Sequence, residues 1–408
     1  MSPRTKEPQR GKSRLARGRR PAGPARRRAT RAAAESNGAR ADGRPAEGRA
    51  PAGARVDPEL AFLKQLVEAH GAPGHEGAVA TVLEKHLEGV GKISRDRLGS
   101  LVCEKRGTSD APRVMLAGHL DEVGFLVKSI TKEGFVKFLP LGGWWGHVVL
   151  AQRLVIRTRQ GDVLGVVGSK PPHELRDEDR KKVLEVRELY IDVGATSDYD
   201  VRKRLDIRPG DPIVPDSPFT IMANPDLLLA KAWDNRIGCA LAAETVRQLR
   251  GQSHPNTVFA VATVQEEVGL RGAQTSAFKV QPDVGIALDV GIAHDTPGTE
   301  GDEKLGGGPL VVVYDSSSIP NRGLRDLVDE TAEKLGLALQ YESVERGGTD
   351  AGKIHVTGEG VPSISMGVAA RYIHSHVSII HRRDFEQTVR LLVALVKRLD
   401  RSTVERLV

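Results

Sequence analysis

Residues Val264–Ala273 read VQEEVGLRGA and give the strongest indication of the fold; they begin at the end of the apolar run NTVFAVATV. The β-branched and aromatic residues of that run favour a strand, and the glycines after it favour a sharp turn. Glu266 and Glu267 therefore lie where a buried strand emerges, and where the backbone turns both side chains can reach one site. Two buried negative charges are costly unless they share a cation or a proton. An acidic, solvated loop is the simpler alternative.

Acidic and histidine side chains also follow other predicted strands. His119 ends the strand VMLAGH and has Asp121 two residues later, an arrangement common among metal ligands. Asp289 ends the strand VGIAL, and His374 lies in the loop after VPSISMGV. Asp234 opens a predicted helix, where an aspartate is usually an N-cap. Each residue alone has an ordinary structural explanation, but ligand sites of open α/β sheets form beyond the carboxyl ends of strands, so we expect them to meet.

The rest of the chain of 408 residues predicts two kinds of structure around these strands. Residues 56–128 and 218–408 alternate helix and strand patterns, beginning with a helix that Asp57 caps, and predict an α/β catalytic domain. Residues 129–217 contain short strands separated by turn signals and predict a small inserted β-barrel. Trp144 and Trp145 lie in one of its turns, either as a subunit-contact surface or as loop packing.

The basic character of the chain belongs to its first 55 residues. Residues 1–55 carry 16 Lys plus Arg against 4 Asp plus Glu, about +12, which leaves about −5 for the remainder. This segment has few large apolar residues, so it predicts a disordered basic tail. Four interpretations of this segment stay open. It is a solvated tail without function, a segment that binds nucleic acid through charge, a targeting peptide, or sequence upstream of the true start.

The two histidines, two aspartates and Glu267 make a mixed nitrogen and oxygen donor set. Such a set suits Zn²⁺ or Co²⁺, and a bridging carboxylate would allow two ions roughly 3.5–4 Å apart. A second glutamate that binds no ion, beside such a pair, would act as general base toward the attacking water.

The motifs GHLDEVGF, WDNRIG, QEEVGLRGA, ALDVGIAHDTPG, GGTDA and RYIHS occur in this order. In these motifs the chain resembles the dinuclear metallo-aminopeptidases called glutamyl, deblocking or tetrahedral aminopeptidases, some of which carry the older name endoglucanase. The resemblance covers about residues 57–400. It implies a mixed-sheet zinc-peptidase domain of the phosphorylase/hydrolase-like type, with an inserted PDZ-like barrel that mediates dimerisation.

The resemblance also implies a role for each residue. His119 and Asp289 would hold one metal ion, Glu267 and His374 the other, and Asp234, in a peptide often cis in this family, would bridge both. Glu266 would be the general base, and Asp121 would orient the imidazole of His119. This chain has His376 where the family usually has a proline, which adds an imidazole near the ligand, and His381 follows. Thr349 and Asp350 of GGTDA either line the substrate pocket or form a glycine turn.

These observations predict a cytoplasmic aminopeptidase that acts on peptides and forms a homo-oligomer built from dimers, up to twelve subunits. Two widely spaced cysteines and the lack of an apolar run of membrane-spanning length fit that location. A glycosidase on the same scaffold is the alternative, but adjacent glutamates do not suit its carboxyl spacing and the histidines would be unexplained. Nucleic acid would bind only through the basic tail.

Overall fold

The computed structural model of the protein describes residues 57–408, so the predicted tail, residues 1–55, lies outside the described residues. Helices there are α1 (Pro58–Glu68), α2 (Gly77–His86), α3 (Trp233–Gln248), α4 (Arg271–Val280), α5 (Arg322–Leu335), α6 (Ala351–Ile354), α7 (Arg382–Arg398) and α8 (Arg401–Glu405). The strands before and within the insertion are β1 (Lys92–Arg95), β2 (Leu101–Arg106), β3 (Arg113–His119), β4 (Gly124–Ile130), β5 (Val136–Leu141), β6 (Arg153–Thr158), β7 (Gly161–Gly168), β8 (Tyr190–Asp192) and β9 (Pro212–Pro215). After it come β10 (Thr220–Ile221), β11 (Leu227–Ala230), β12 (Thr257–Thr263), β13 (Val284–Ile292), β14 (Leu310–Asp315), β15 (Gln340–Val344), β16 (Ser363–Arg371) and β17 (Ser378–His381).

Eleven strands form one mixed sheet in the order β1-β2-β12-β3-β13-β16-β17-β11-β10, with β14 paired to both β15 and β16. The central strands β12, β3, β13 and β16 are parallel. Each is an almost continuous apolar run, because a parallel strand is covered on both faces. The predicted α/β fold is confirmed.

Helix α3 packs on this sheet and is itself almost wholly buried. Gly118 of β3 allows the close approach, because a Cβ there would overlap the backbone of Gly238 in α3. At the start of the described chain, Asp57 caps α1 as predicted and accepts a hydrogen bond from the backbone N–H of Glu59 at 3.0 Å.

The insertion is a closed antiparallel barrel of six strands in the order β4-β5-β8-β7-β6-β9. Phe125, Phe138, Leu154 and Ile191 are among the residues of its separate apolar core. The first barrel strand, β4, spans the predicted boundary between residues 128 and 129. Trp144 packs into the barrel through Phe125 and donates from Nε1 to the carbonyl of Gly124 at 3.0 Å, whereas Trp145 is 62% exposed.

None of the helices in residues 57–408 combines the length and apolar character that a membrane crossing requires.

Candidate metal centre

Two parallel strands bring the glutamate pair to His119. In the register of β12 and β3, Thr263 lies opposite His119, so the loop after Thr263 begins beside that imidazole. Gln265 has a positive φ of 55° and turns the chain at this point. Strand pairing therefore places the glutamate pair beside His119. Glu266 is buried, so the alternative of an acidic, solvated loop does not fit.

Asp289 reaches the same edge from the other side of β3. Contrary to the prediction that the strand ends at Asp289, β13 continues to Ile292 through its pairing with β16. Its pairing with β3 stops at Ala287, opposite Ala117. The sheet therefore opens on the β3 side two residues before Asp289, which leaves that carboxylate free to face the site.

Asp234 is not the N-cap that local sequence favours. Ala232 precedes α3 in a left-handed conformation, and Asp234 and Asn235 have non-helical dihedral angles joined by a cis peptide bond. The Oδ1 atom of Asp234 lies 3.2 Å from Nε2 of His119, and its Oδ2 atom lies 3.3 Å from Nε2 of His374. One carboxylate thus faces both imidazoles, with one oxygen toward each.

Both imidazoles are held in the tautomer that a metal ligand needs. Nδ1 of His119 donates to the backbone carbonyl of Asp121 at 2.9 Å, and Nδ1 of His374 donates to the carbonyl of Gly143 at 2.9 Å. A carbonyl oxygen can only accept, so the proton of each ring lies on Nδ1. Nε2 of each ring is therefore the atom that faces the carboxylates, and in a neutral ring it would offer its lone pair to a metal ion.

The carboxylate of Asp121 holds the glutamate loop. Its Oδ1 accepts from the backbone N–H of Glu266, and its Oδ2 from that of Glu267, each at 3.0 Å. Its nearest oxygen to His119 Nδ1 is 3.6 Å away, farther than its own backbone carbonyl. Asp121 therefore contacts the imidazole through its main chain and the two glutamates through its side chain.

Two groups of donor atoms lie within 4.8 Å of one another: His119 with Asp234 and Glu267, and His119 with Glu266 and Asp289. His374 lies beside the first group, since its Nε2 is 3.6 Å from Oε2 of Glu267 and 3.3 Å from Oδ2 of Asp234. All five predicted ligands and Glu266 are thus brought together. Oε1 of Glu267 is buried without a hydrogen-bond partner among the described residues.

The centre brings several buried carboxylates close together. Burial raises the pKa of Glu266 and of Asp289 well above ordinary values, despite the opposing charge of the nearby imidazole. Burial and then the charge of Asp234 raise the pKa of Glu267 to about 8. Burial lowers the pKa of His374, but its hydrogen bond and ion pair with Asp234 raise it to about 9. Divalent cations would relieve this crowding of carboxylates.

The structure separates His374 from the two later histidines. His376 is buried against Trp144, with ring centroids 5.7 Å apart. His381 precedes α7 and accepts from the backbone N–H of Arg383 at 3.1 Å. Neither belongs to the two donor groups.

Sequence reasoning missed Gly143 as a contributor to the centre and left the role of Asp350 open between pocket lining and a glycine turn. Gly143 comes from the inserted barrel, 231 residues from its partner His374, and only its GG turn marked it in the sequence. Asp350 is buried beneath the site, where its Oδ2 accepts from the hydroxyl of Thr263 at 2.6 Å, while the neighbouring Thr349 lines the cavity.

The centre forms the floor of a cavity of about 640 Å³. Its walls come from the end of β13, from β14 and β15, and from the glycine-containing loop 344–349. A cavity of this size accommodates one or two amino-acid residues rather than a folded chain.

The sheet, the inserted barrel and the histidine and carboxylate centre define a hydrolase of the aminopeptidase class. The chain belongs to the M42 glutamyl aminopeptidase family, whose profile matches residues 99–391. It is 37% identical over 346 residues to glutamyl aminopeptidase from Lactococcus lactis subsp. cremoris (strain MG1363), covering 84% of this chain and 97% of that protein.

Solved structures of similar proteins support the same family assignment. The chain is 45% identical to the TET aminopeptidase of Thaumarchaeota archaeon SCGC AB-539-E09, with a TM-score of 0.84 over 86% of this chain and 100% of that one. It is 30% identical to the TET1 peptidase of Pyrococcus horikoshii, with a TM-score of 0.75 over 84% and 100% of the two chains. That peptidase can assemble into a tetrahedron or a large octahedral shell. The family predicted from the sequence motifs is confirmed.

Proposed function

We propose that the protein is a metal-dependent aminopeptidase, which uses two divalent ions, Zn²⁺ or Co²⁺, to remove N-terminal residues from peptides. The observation that carries this proposal is the position of Asp234, whose two oxygens face the Nε2 atoms of two imidazoles. A carboxylate in that position suits a bridge between two ions.

The donor chemistry fits the ions. His119 and Asp289 would hold one ion, His374 and Glu267 the other, and Asp234 would contribute to both. Neutral imidazole nitrogens with carboxylate oxygens form the mixed set that Zn²⁺ and Co²⁺ accept. The unpartnered Oε1 of Glu267 supports the assignment, because a buried carboxylate oxygen requires a donor or a cation.

Bound divalent ions would polarise the scissile carbonyl and make a water nucleophilic near neutral pH. Glu266 is the general base: its carboxylate lies in the centre, with Oε2 3.7 Å from Nε2 of His119. It accepts the proton of the attacking water and then donates it to the leaving amine. Asp121 positions this base, because its carboxylate fixes the backbone N–H groups of Glu266 and Glu267.

Removal and return of metal test the proposal. Short peptides and aminoacyl p-nitroanilides are incubated with the full chain, with the chelated chain, and with the chelated chain resupplied with Zn²⁺ or Co²⁺. We expect stepwise release of N-terminal amino acids, its loss on chelation, and its return with either ion. Undiminished hydrolysis after exhaustive chelation would reject the metal mechanism, and release of sugar from glycans without peptide cleavage would favour the glycosidase alternative.

We also propose that subunits associate through the predicted insertion, residues 129–217, in a homo-oligomer built from dimers. Support comes from apolar side chains exposed on the insertion, among them Leu139, Trp145, Leu164 and Val166. The assembly of the Pyrococcus horikoshii relative makes twelve subunits a reasonable size. Sedimentation velocity of the full chain is expected to give a dimer or a multiple of it, and a monomer at micromolar concentration would contradict the proposal. A cytoplasmic location stays a prediction.

A further inference from the structure

Glu342 lies on β15 in the wall of the same cavity and belongs to neither donor group. Its side chain is buried, with 3% of the residue exposed. Oε1 accepts a hydrogen bond from the backbone N–H of Ile292 at 2.8 Å. Oε2 is buried and has no hydrogen-bond partner within residues 57–408. A buried carboxylate oxygen in this state is unfavourable until a donor reaches it.

The distance between Glu342 and the centre suits the side chain of a substrate rather than its α-amine. The carboxylate contacts β13 at Ile292 and lies so close to Gly291 that a Cβ there would overlap Oε2. These positions are two to three residues beyond Asp289, which corresponds to roughly 7–10 Å along an extended strand. That separation is comparable with the reach of the four-carbon stem of lysine.

Two other charged residues of the cavity wall do not compete with Glu342. Asp315 is already occupied, because it accepts from the backbone N–H groups of Ser317 and Ser318 and from the hydroxyl of Thr349. Arg346 is exposed at the cavity rim, so water and salt screen its charge. A buried charge acts through a lower dielectric, and the carboxylate therefore decides which side chain the cavity prefers.

We propose that the cavity selects peptides whose N-terminal residue is lysine or arginine, and that Glu342 binds the cationic end of that side chain. This specificity rests on the proposed aminopeptidase function. Burial raises the pKa of Glu342 to about 7, and a bound cation would hold the carboxylate ionised. The absence of a side chain at Gly291 provides the space that the carboxylate occupies beside the strand.

Lysine and norleucine p-nitroanilides test the proposal, because their stems have the same length and only lysine has an ammonium group. We expect the metal-loaded protein to hydrolyse the lysine substrate with a kcat/KM at least tenfold higher. Glu342→Gln should lower the lysine-to-norleucine ratio by about 10- to 100-fold, the range expected for a hydrogen bond between charged groups. Glu345→Gln is the matched control, since Glu345 is exposed in the same segment and does not line the cavity; its ratio should stay unchanged.

A ratio near one in the unmodified protein would overturn the proposal. An equal loss for both substrates in Glu342→Gln would also overturn it, because it would indicate binding of the α-amine or a structural role. A preference for glutamyl p-nitroanilide over the lysine substrate, lost in Arg346→Ala, would likewise overturn the proposal. Norleucine turnover in Glu342→Gln reports that the variant is folded.

A binding measurement separates this proposal from the proposed hydrolysis. Calorimetry with the metal-loaded Glu266→Gln variant compares the dipeptides Lys-Ala and norleucyl-alanine without turnover. Tighter binding of Lys-Ala, lost when Glu342→Gln is added, supports the specificity even if the unmodified protein hydrolyses neither p-nitroanilide. Equal affinities for the two dipeptides would reject it even if hydrolysis is observed.

Discussion

Glu266 and Glu267 are adjacent in the chain but face different imidazoles. Oε2 of Glu266 lies 3.7 Å from His119, and Oε2 of Glu267 lies 3.6 Å from His374. The turn at Gln265 lets neighbouring residues reach the same site, and Asp121 fixes both of their backbone N–H groups. This arrangement suits the proposed roles, in which Glu267 would hold an ion and Glu266 would move protons beside it.

Glu266→Gln is predicted to keep its metal and lose turnover. The amide retains the shape of the side chain but cannot accept the proton of the water, so kcat should fall by about 10²–10⁴-fold. Metal content by mass spectrometry and kcat for a short peptide check this. Glu88→Gln, on an exposed residue outside the cavity, should match the unmodified protein in both measurements. Near-normal kcat in Glu266→Gln would remove that residue as the base.

At the scale of elements, the inserted barrel forms part of the centre. The loop after β5 brings the carbonyl of Gly143 to the imidazole of His374 and places Gly142 beside Glu267. A small separate apolar core holds the barrel together. The insertion therefore positions two side chains that we propose as metal ligands, besides its proposed role in subunit contacts.

Gly142→Ala is predicted to weaken metal binding as well as folding. Gly142 has a φ of 81°, and a Cβ there would lie 2.9 Å from Oε2 of Glu267 and 2.7 Å from Val123. We expect metal affinity to fall by about 10- to 100-fold, the range for groups that orient a ligand. Metal titration and urea unfolding measure the two effects.

Gly194→Ala is the matched control for this change. Gly194 also has a left-handed φ, 69°, but a Cβ there would meet nothing within 4 Å. The control should lose about 1 kcal/mol of unfolding free energy through backbone strain and keep its metal affinity. Equal metal affinity in the two variants would show that the loop does not position Glu267.

For the whole molecule, the buried carboxylate of Glu342 links stability to pH. Burial raises its pKa from 4.5 to about 7. Between pH 4.5 and about 7, Glu342 holds a proton in the folded state that it has lost in the unfolded state. The stabilisation that comes from this bound proton is therefore complete below pH 4.5 and disappears as the pH rises through about 7.

The predicted consequence is a loss of about 3 kcal/mol from the unfolding free energy of the chelated protein over that interval, relative to Glu342→Gln. Urea unfolding of both proteins across the pH range measures it. Parallel stability curves for the two proteins would contradict the prediction.

The α/β class, the inserted barrel, the family and the residues gathered at the centre could all be predicted from the amino-acid sequence. These properties depend on local patterns: apolar runs that end in His119, Asp289 or the glutamate pair, and motifs of a few residues. Asp289 shows the limit of such patterns, because pairing with β16 extends its strand to Ile292, which no local signal announces.

The contacts that each of these residues makes depend on the tertiary structure. Asp234 looked locally like a helix cap, Asp121 holds the glutamate loop with its side chain, and Gly143 accepts from an imidazole 231 residues away. Glu342 drew no attention in the sequence, because one glutamate in a short strand is ordinary until pairing buries it in the cavity wall. Burial, hydrogen-bond partners and charge crowding arise from contacts between distant segments, and strand register and packing create those contacts.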